Sequence, residues 1–169
     1  MPKTKFKLSH LKASQIIDEL KKENKIVGLW HGTFDFIHLG HLNHFLEAKS
    51  QCDFLCVSIT PDEYVIKGKG RPFYDQEQRF NFLNNLKPID LVIINDQPTS
   101  VKLIKKLKPS IYFKGPDYKN KDLDPTGMIE HEINSVEEIN GIFITTSQKD
   151  FSSTQMLKKL KELATWKRL

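Results

Sequence analysis

Two histidines and two glycines lie in a short segment whose residue types suit the binding of phosphate groups. The segment runs from Gly32 to His41, with His38 three residues before His41 and Gly40 between them. If a helix begins there, this spacing directs both imidazoles the same way, beside the free backbone N–H groups of the helix start. Two imidazoles and a cluster of amides can hold a triphosphate and stabilise charge that develops on its α-phosphate.

Other interpretations of these histidines stay open from the sequence. Together with His44 and the nearby cysteines, Cys52 and Cys56, the pair His38 and His41 could form a zinc site. Zinc sites built on one helix normally use a spacing of four, and no fourth ligand is evident. The histidines could also be purely structural. His44 by itself is expected on the surface of the helix.

Three further segments carry groups suited to anions, at residues 67–72, 114–118 and 148–154. The first interleaves cations with glycines and is either a phosphate-binding arm or an ordinary exposed basic loop. The second is either a Gly-Pro turn or a base-binding segment in which Asp117 accepts hydrogen bonds and Tyr118 stacks. In the third, hydroxyl groups near Ser152 could cap a helix, bind phosphate, or do both.

Short apolar runs alternate with helical patterns along the chain, which predicts an α/β fold. The predicted strands are at residues 26–30, 54–59, 89–94, 110–114 and 142–144. The predicted helices are at about residues 9–23, 41–48, 75–86, 98–107, 126–138 and 152–163. Continuous apolar strands that alternate with helices indicate a parallel sheet with right-handed crossovers. Ligands of such sheets bind beyond the carboxyl ends of the strands, which would bring the four segments together.

The length of 169 residues fits one domain, so we expect a single Rossmann-like unit over residues 1–169, with helices on both faces of a five-stranded parallel sheet. No apolar run approaches the ~20 residues of a membrane span, and the basic first residues lead into no signal core. We therefore expect a cytoplasmic protein with reduced cysteines. The net charge of +5 suits a phosphate-rich substrate and equally suits weak nucleic-acid binding.

The motifs together resemble the signature of the cytidylyltransferase-like nucleotidyltransferases. The resemblance covers about residues 12–163 and is carried by Gly32-Thr33-Phe34-Asp35, His38-x-Gly40-His41, the Lys67/Lys69 loop, Arg71-Pro72 with Arg79, Lys114-Gly115-x-Asp117-Tyr118 and Ser152-Ser153-Thr154. The chain most resembles the adenylyltransferase domain of the bifunctional heptose-phosphate enzymes, which share the leading helix, the Arg-Pro pair and the Lys-Gly-x-Asp-Tyr segment.

The resemblance implies a role for each matched residue. Catalysis is assigned to His38 and His41, which stabilise the transition state, and to Lys67, which neutralises phosphate charge. The residues expected to bind the nucleotide are Gly32, Thr33, Phe34, Gly40, Lys69, Lys114, Gly115, Asp117, Tyr118, Ser152, Ser153 and Thr154. The residues expected to bind the acceptor are Asp35, Arg71 and Arg79. Mg²⁺ is expected to be held mainly by the triphosphate, without a metal site on the protein.

The implied reaction transfers a nucleotidyl group, from ATP in preference to CTP, to a phosphorylated sugar such as a heptose 1-phosphate. The alternative is a CTP-dependent enzyme acting on glycerol 3-phosphate or a related polyol. That branch carries an arginine shortly before its Ser/Thr motif, where this chain has Ser147. The expected partners are the nucleotide, the acceptor and a second copy in a homodimer, and the chain could be one module of a kinase fusion.

We expect neither a nucleic acid nor a membrane partner. Class I aminoacyl-tRNA synthetases carry a related His-x-Gly-His motif, but this chain has no Lys-Met-Ser-Lys-Ser-type motif. A non-catalytic nucleotide sensor on the same fold is a distant alternative.

Overall fold

A parallel sheet organises the chain in the computed structural model, which describes residues 7–66, 68–119, 127–147 and 162. The strands are β1 (Val27–Gly32), β2 (Phe54–Ile59), β3 (Leu91–Ile94), β4 (Ile111–Lys114) and β5 (Ile142–Thr145). They are hydrogen-bonded in the order β3-β2-β1-β4-β5, and every neighbouring pair is parallel. The predicted fold class is confirmed.

Five helices of the described residues connect and flank these strands. They are α1 (His10–Lys22), α2 (Leu39–Lys49), α3 (Gln76–Asn84), α4 (Val101–Leu107) and α5 (Ile129–Glu138). Short 3₁₀ turns at Asp62–Tyr64 and Pro116–Lys119 follow β2 and β4. Apart from Glu162, the helix predicted at residues 152–163 lies outside the described residues. None of the described helices is long and apolar enough to span a bilayer, and the cytoplasmic location stays a prediction.

Two helix boundaries differ from the predictions. The helix predicted to begin at Pro98 begins instead at Val101, after Ser100. The Ser100 hydroxyl makes no capping hydrogen bond to this helix and donates to Glu132 in the interior at 2.7 Å. The helix predicted from about His41 begins earlier, at Leu39.

Strands β1 to β4 are buried on both faces, since their alternate residues join two different hydrophobic cores, whereas the edge strand β5 is only partly buried. In β4, Tyr112 packs into the core formed with α1, α4 and α5, whereas Ile111 and Phe113 pack into the core formed with α2 and α3. The same alternation separates Cys56 from Leu55 in β2. The helices therefore cover both faces of the sheet, as predicted.

The strand order places a crevice between β1 and β4, because the chain proceeds away from β1 in opposite directions on its two sides. Ligands of open α/β sheets bind at this switch point, beyond the carboxyl ends of the strands. Here the segments that follow Gly32 and Lys114 leave two neighbouring parallel strands at this edge of the sheet.

Gly28, the second residue of the central strand β1, is expected to tolerate no larger side chain. A Cβ atom there would lie 2.7 Å from Cε2 of Phe113 and 3.0 Å from Sγ of Cys52. We predict that Gly28→Ala lowers the free energy of unfolding by about 1–3 kcal/mol through overpacking. Urea denaturation measures this change, with Gly115→Ala as the control because its Cβ would meet no atom within 4 Å. Equal stability of the two variants would contradict the prediction.

Candidate active site

The two histidines of the first segment lie together at the start of α2. His38 is the N-cap residue, and its Nδ1 accepts a hydrogen bond from the backbone N–H of Gly40 at 3.1 Å. The backbone N–H of His38 donates to Nδ1 of His41 at 3.4 Å. The two ring centroids are 4.1 Å apart. The sequence spacing therefore brings both imidazoles to one helix terminus, as expected.

The hydrogen-bond pattern fixes the form of these imidazoles. A backbone N–H can only donate, so Nδ1 of each ring is an acceptor and, in the neutral ring, the hydrogen lies on Nε2. Burial, and the proximity of His44, lower the pKa of His38 from its usual value of 6.5. His38 is therefore neutral at pH 7, and its Nε2–H is a hydrogen-bond donor suited to a phosphate oxygen.

The ring of Phe34 packs against the histidine pair, and its position leaves little room for a side chain at Gly32. Phe34 has a left-handed backbone, with φ of 51°, and is 5% exposed. Its ring meets His41 edge-on, with centroids 5.7 Å apart. A Cβ at Gly32 would lie 3.0 Å from Cζ of this ring. Gly32 therefore permits Phe34 to pack against the histidine pair, which is a steric role within the segment.

Asp35 joins the histidine segment, residues 32–41, to the segment at residues 71–74. Its side chain is buried and accepts hydrogen bonds from Nε of Arg71 and from the backbone N–H groups of Phe73 and Tyr74. The structure therefore gives Asp35 an internal role and does not place it against an acceptor. Arg71 keeps a partly exposed side chain, and its contact with an acceptor stays a prediction.

Arg79 is also turned inward, and its contact with an acceptor stays a prediction. It is 1% exposed, and its guanidinium donates to the carbonyl oxygens of Thr33, Thr60 at 2.9 Å and Tyr74 at 3.1 Å. It also donates to Oδ1 of Asp62 at 2.6 Å. A guanidinium with these partners has a structural function, because it ties the segments after β1 and β2 to α3.

The predicted nucleotide segment after β4 is only partly exposed. Lys114 is 5% exposed, and its ammonium pairs with the Glu132 carboxylate at 2.8 Å instead of facing the crevice. It lies 4.8 Å from the ring centroid of Tyr118, which is half-buried, while Asp117 is exposed. Direct phosphate binding by the Lys114 side chain is therefore not supported by this geometry.

Sequence reasoning missed Glu132, which α5 carries into the interior. Burial acts to raise the pKa of Glu132, but the Lys114 and His31 charges and hydrogen bonds from Lys114 and Ser100 lower it to about 2. The signal was present, because Ile129, Glu132 and Val136 share the buried face of α5. A carboxylate in the apolar stripe of an amphipathic helix indicates a buried partner.

His31, at the end of β1, was also missed. Its Nδ1 lies 2.7 Å from Oγ of Ser58, and its Nε2 lies 3.3 Å from Oγ1 of Thr60. Burial, followed by the positive charge of Lys114, lowers the pKa of His31 to about 4. A neutral His31 therefore fills the interior between the segments after β2 and β4.

The segment after β5 is attached to the body of α2. Nδ1 of His44 lies 2.8 Å from Oγ1 of Thr146, and Glu47 accepts hydrogen bonds from the N–H of Ser147 at 2.9 Å and from its hydroxyl at 3.0 Å. His44 is 7% exposed, so its predicted surface position is wrong. The pairing with Thr146, about 100 residues away, is the reason, and local spacing could not reveal it.

Several predicted residues lie outside this geometry. Lys67, Ser152, Ser153 and Thr154 are not among the described residues. Lys69 is exposed, between glycines at positions 68 and 70 that have positive φ angles of 93° and 78°. Within the described part of the chain, no group of three or more His, Cys, Asp or Glu residues is placed to hold a metal ion.

Comparison with known proteins identifies the family. The chain matches the Cytidylyltransferase-like family over residues 29–160. The bifunctional protein HldE of Aliarcobacter butzleri is 32% identical over 147 residues, which cover 83% of this chain and 31% of that protein. HldE of Geobacter metallireducens is 33% identical over 148 residues, which cover 86% of this chain and 29% of that protein. This chain thus spans about a third of the length of these relatives.

Solved structures share the fold. The lipopolysaccharide core biosynthesis protein from Thermoplasma volcanium superposes with a TM-score of 0.60 at 27% identity, over 75% of this chain and 99% of that one. Pantoate-beta-alanine ligase from Francisella tularensis has a TM-score of 0.57 at 17% identity, over 85% of this chain and 67% of that one, which shows a common fold alone. The family match spans the paired imidazoles at the switch point. The chain therefore belongs to the cytidylyltransferase-like family and is a nucleotidyltransferase.

Proposed function

We propose that this chain transfers an adenylyl group from ATP to the phosphate of a sugar phosphate, such as a heptose 1-phosphate, and releases pyrophosphate. The observation that carries this proposal is the pair of imidazoles at the start of α2, beside the crevice between β1 and β4. An anion at this terminus meets the Nε2–H groups of the two imidazoles and the positive end of the helix dipole.

The reaction needs no nucleophile from the protein. An oxygen of the acceptor phosphate attacks the α-phosphorus of ATP and forms a new P–O bond. The bond from the α-phosphorus to the oxygen that bridges to the β-phosphate breaks, and pyrophosphate leaves with the electron pair. His38 and His41 donate hydrogen bonds through Nε2 to the phosphate oxygens that gain charge, so catalysis is mostly positioning and electrostatic stabilisation.

A magnesium ion fits this site as a companion of the nucleotide. Asp35 is committed to Arg71 and Glu132 is committed to Lys114, so neither carboxylate is available as a dedicated metal ligand. Mg²⁺ commonly binds through substrate phosphates and water with few protein ligands. When bound, it would neutralise charge on the triphosphate, and this chain would contribute the imidazoles and backbone N–H groups around it.

The choice of ATP and a sugar phosphate rests on the resemblance to heptose-type enzymes. The segment from Lys114 to Tyr118 resembles that of heptose-type adenylyltransferase domains, and the HldE relatives are 32–33% identical to this chain. The solved relative at 27% identity is named for lipopolysaccharide core biosynthesis, which is carbohydrate chemistry. Ser147, where the glycerol-phosphate branch carries arginine, instead donates to Glu47.

Two assembly proposals accompany this function. The HldE relatives are named bifunctional and are about three times as long as the matched segment, which fits a second catalytic unit such as a kinase, fused to this one or separate from it. We also propose a homodimer through an aromatic patch formed by Phe36, Phe73, Tyr74 and Phe82. Phe73 and Phe82 are 64% and 52% exposed, beside a pocket of about 400 Å³, and exposed apolar patches commonly mark interfaces.

The substrate assignment is tested by pyrophosphate release from Mg-ATP or Mg-CTP mixed with a panel of phosphate acceptors. We expect release with ATP and a sugar 1-phosphate, and little release with glycerol 3-phosphate, because a pocket that hydrogen-bonds one base discriminates strongly against another. Calorimetric titration of ATP, CTP and GTP gives the base preference directly. CTP binding at least tenfold tighter than ATP would overturn the adenylyl assignment and leave nucleotidyl transfer intact.

The dimer is tested by light scattering of the purified chain at micromolar concentration. We expect the mass of two chains, and the mass of one chain for the double variant Phe73→Ser/Phe82→Ser, because both substitutions remove exposed apolar area. Exposed Leu11, on helix α1 and outside the aromatic patch, provides the matched control Leu11→Ser. A wild-type protein that is monomeric under these conditions would refute the proposed interface.

His41→Ala should lower kcat by about 10²–10³-fold, the usual cost of removing one donor from a developing oxyanion. His41 is chosen because its Ala variant loses only the longer hydrogen bond of the capping box, at 3.4 Å, whereas His38→Ala loses the shorter N-cap hydrogen bond, at 3.1 Å. Leu39→Ala is the matched control, since Leu39 lies in the same first turn of α2 and is 60% exposed. Steady-state kinetics of a folded His41→Ala protein within threefold of wild type would exclude the catalytic role.

A further inference from the structure

A buried carboxylate connects α5 to the segment that follows β4. Glu132 is 4% exposed and accepts hydrogen bonds from the backbone N–H of Ser100 at 3.2 Å, the Ser100 hydroxyl at 2.7 Å and the Tyr112 hydroxyl at 2.9 Å. Its Oε2 pairs with Nζ of Lys114 at 2.8 Å. Every described partner of this carboxylate is therefore a donor, which keeps it ionised inside the protein.

Lys114 extends the connection to the rim of the crevice. Its ammonium lies 4.8 Å from the ring centroid of Tyr118 and 5.5 Å from that of Tyr112, both within the range of a cation–π contact. Its carbonyl oxygen accepts the backbone N–H of Thr146 at 3.0 Å. The turn is closed by a hydrogen bond from the N–H of Tyr118 to the carbonyl oxygen of Gly115 at 3.2 Å.

We infer that Glu132 is a positioning residue for nucleotide binding, which acts by holding the Lys114 ammonium under the ring of Tyr118. The inference rests on the proposed function, because it takes Tyr118 to line the base pocket. In this arrangement the Lys114 side chain positions the aromatic ring that stacks on the base, and it does not bind the phosphates. Without the Glu132 charge, an unpaired ammonium would be unfavourable at this depth, and Lys114 would leave Tyr118.

This arrangement makes a specific distinction between the two parts of a nucleotide. A residue that acts through Tyr118 affects the base, because aromatic rings stack on bases and not on phosphates. A lysine that binds phosphate affects every polyphosphate, with or without a base. A purely structural ion pair affects the stability of the fold and neither ligand in particular.

The test compares three probes, Mg-ATP, Mg-CTP and Mg-tripolyphosphate, by calorimetric titration. The main variant is the neutral pair Lys114→Met/Glu132→Gln, because replacing both partners of a buried ion pair avoids leaving one charge unpaired. Tyr118→Ala and the combination of all three substitutions complete the set. Glu138→Gln is the matched control, since Glu138 also lies on α5 and pairs with Lys105 of α4 at 2.6 Å, but at the surface.

We expect the neutral pair to weaken both nucleotides by about tenfold, the factor that corresponds to losing one base-stacking contact. Tripolyphosphate should bind the neutral pair as it binds the wild type, and Glu138→Gln should change no affinity. The triple variant should bind nucleotides no more weakly than Tyr118→Ala, because substitutions that act through one group are not additive.

Three results would overturn the inference. They are unchanged nucleotide affinity in the folded neutral pair, an equal loss of tripolyphosphate affinity, or fully additive losses with Tyr118→Ala. If circular dichroism shows that the neutral pair is unfolded, Glu132→Asp replaces it. This variant keeps the charge but withdraws it by one methylene, so it should weaken nucleotides and spare tripolyphosphate, and wild-type affinity for all three probes would overturn the inference. A wild-type chain that binds none of the probes would refute the proposed function itself.

Discussion

The carboxyl edge of the sheet depends on a guanidinium that is fully withdrawn from solvent. Arg79 reaches from α3 to the carbonyl oxygens of Thr33 and Thr60 and to the carboxylate of Asp62. Removing one partner from a buried charge costs about 3–5 kcal/mol, so the segments after β1 and β2 cannot separate freely. The histidine segment is held at Thr33 by this contact and at Asp35 by its bonds to the 71–74 segment. The histidine pair is thus placed by the buried charges of Arg79 and Asp35.

A second buried charge supports the other side of the crevice. Lys114 and Glu132 compensate each other between β4 and α5, and a neutral His31 lies between this pair and the hydroxyls of β2. Both faces of a parallel sheet are covered, so polar groups beneath its edge must find partners within the protein. The low pKa of His31, about 4, follows from this confinement, first through burial and then through the Lys114 charge. Among the described residues, Oδ1 of Asn95, directly after β3, is the one buried side-chain nitrogen or oxygen without a hydrogen-bond partner, so the edge is polar and almost fully satisfied within the protein.

Periodicity and motif spacing predicted the sheet, the helices and the histidine pair, because those features depend on local order along the chain. The inward orientation of Asp35, Arg79 and Lys114 depended on partners distant in sequence, and residue type alone does not show whether a charge meets a ligand or the interior. Glu132 could have been found, since it interrupts the apolar face of α5. His44 could not, because Thr146 lies 102 positions away. The fold was more predictable than the site for this reason.

Helix α2 supports both the histidine pair and the segment that follows β5. Its first turn carries the histidine pair, and its later turns hold Thr146 through His44 and Ser147 through Glu47. A rigid helix transmits a rotation or shift along its whole length, so the histidine pair and the segment after β5 share one mechanical support. Substitutions in the segment after β5 that change ligand choice would therefore also move the histidine pair. We expect relatives to differ by paired substitutions, one on α2 and one in this segment, because either substitution alone would disturb the contact between them.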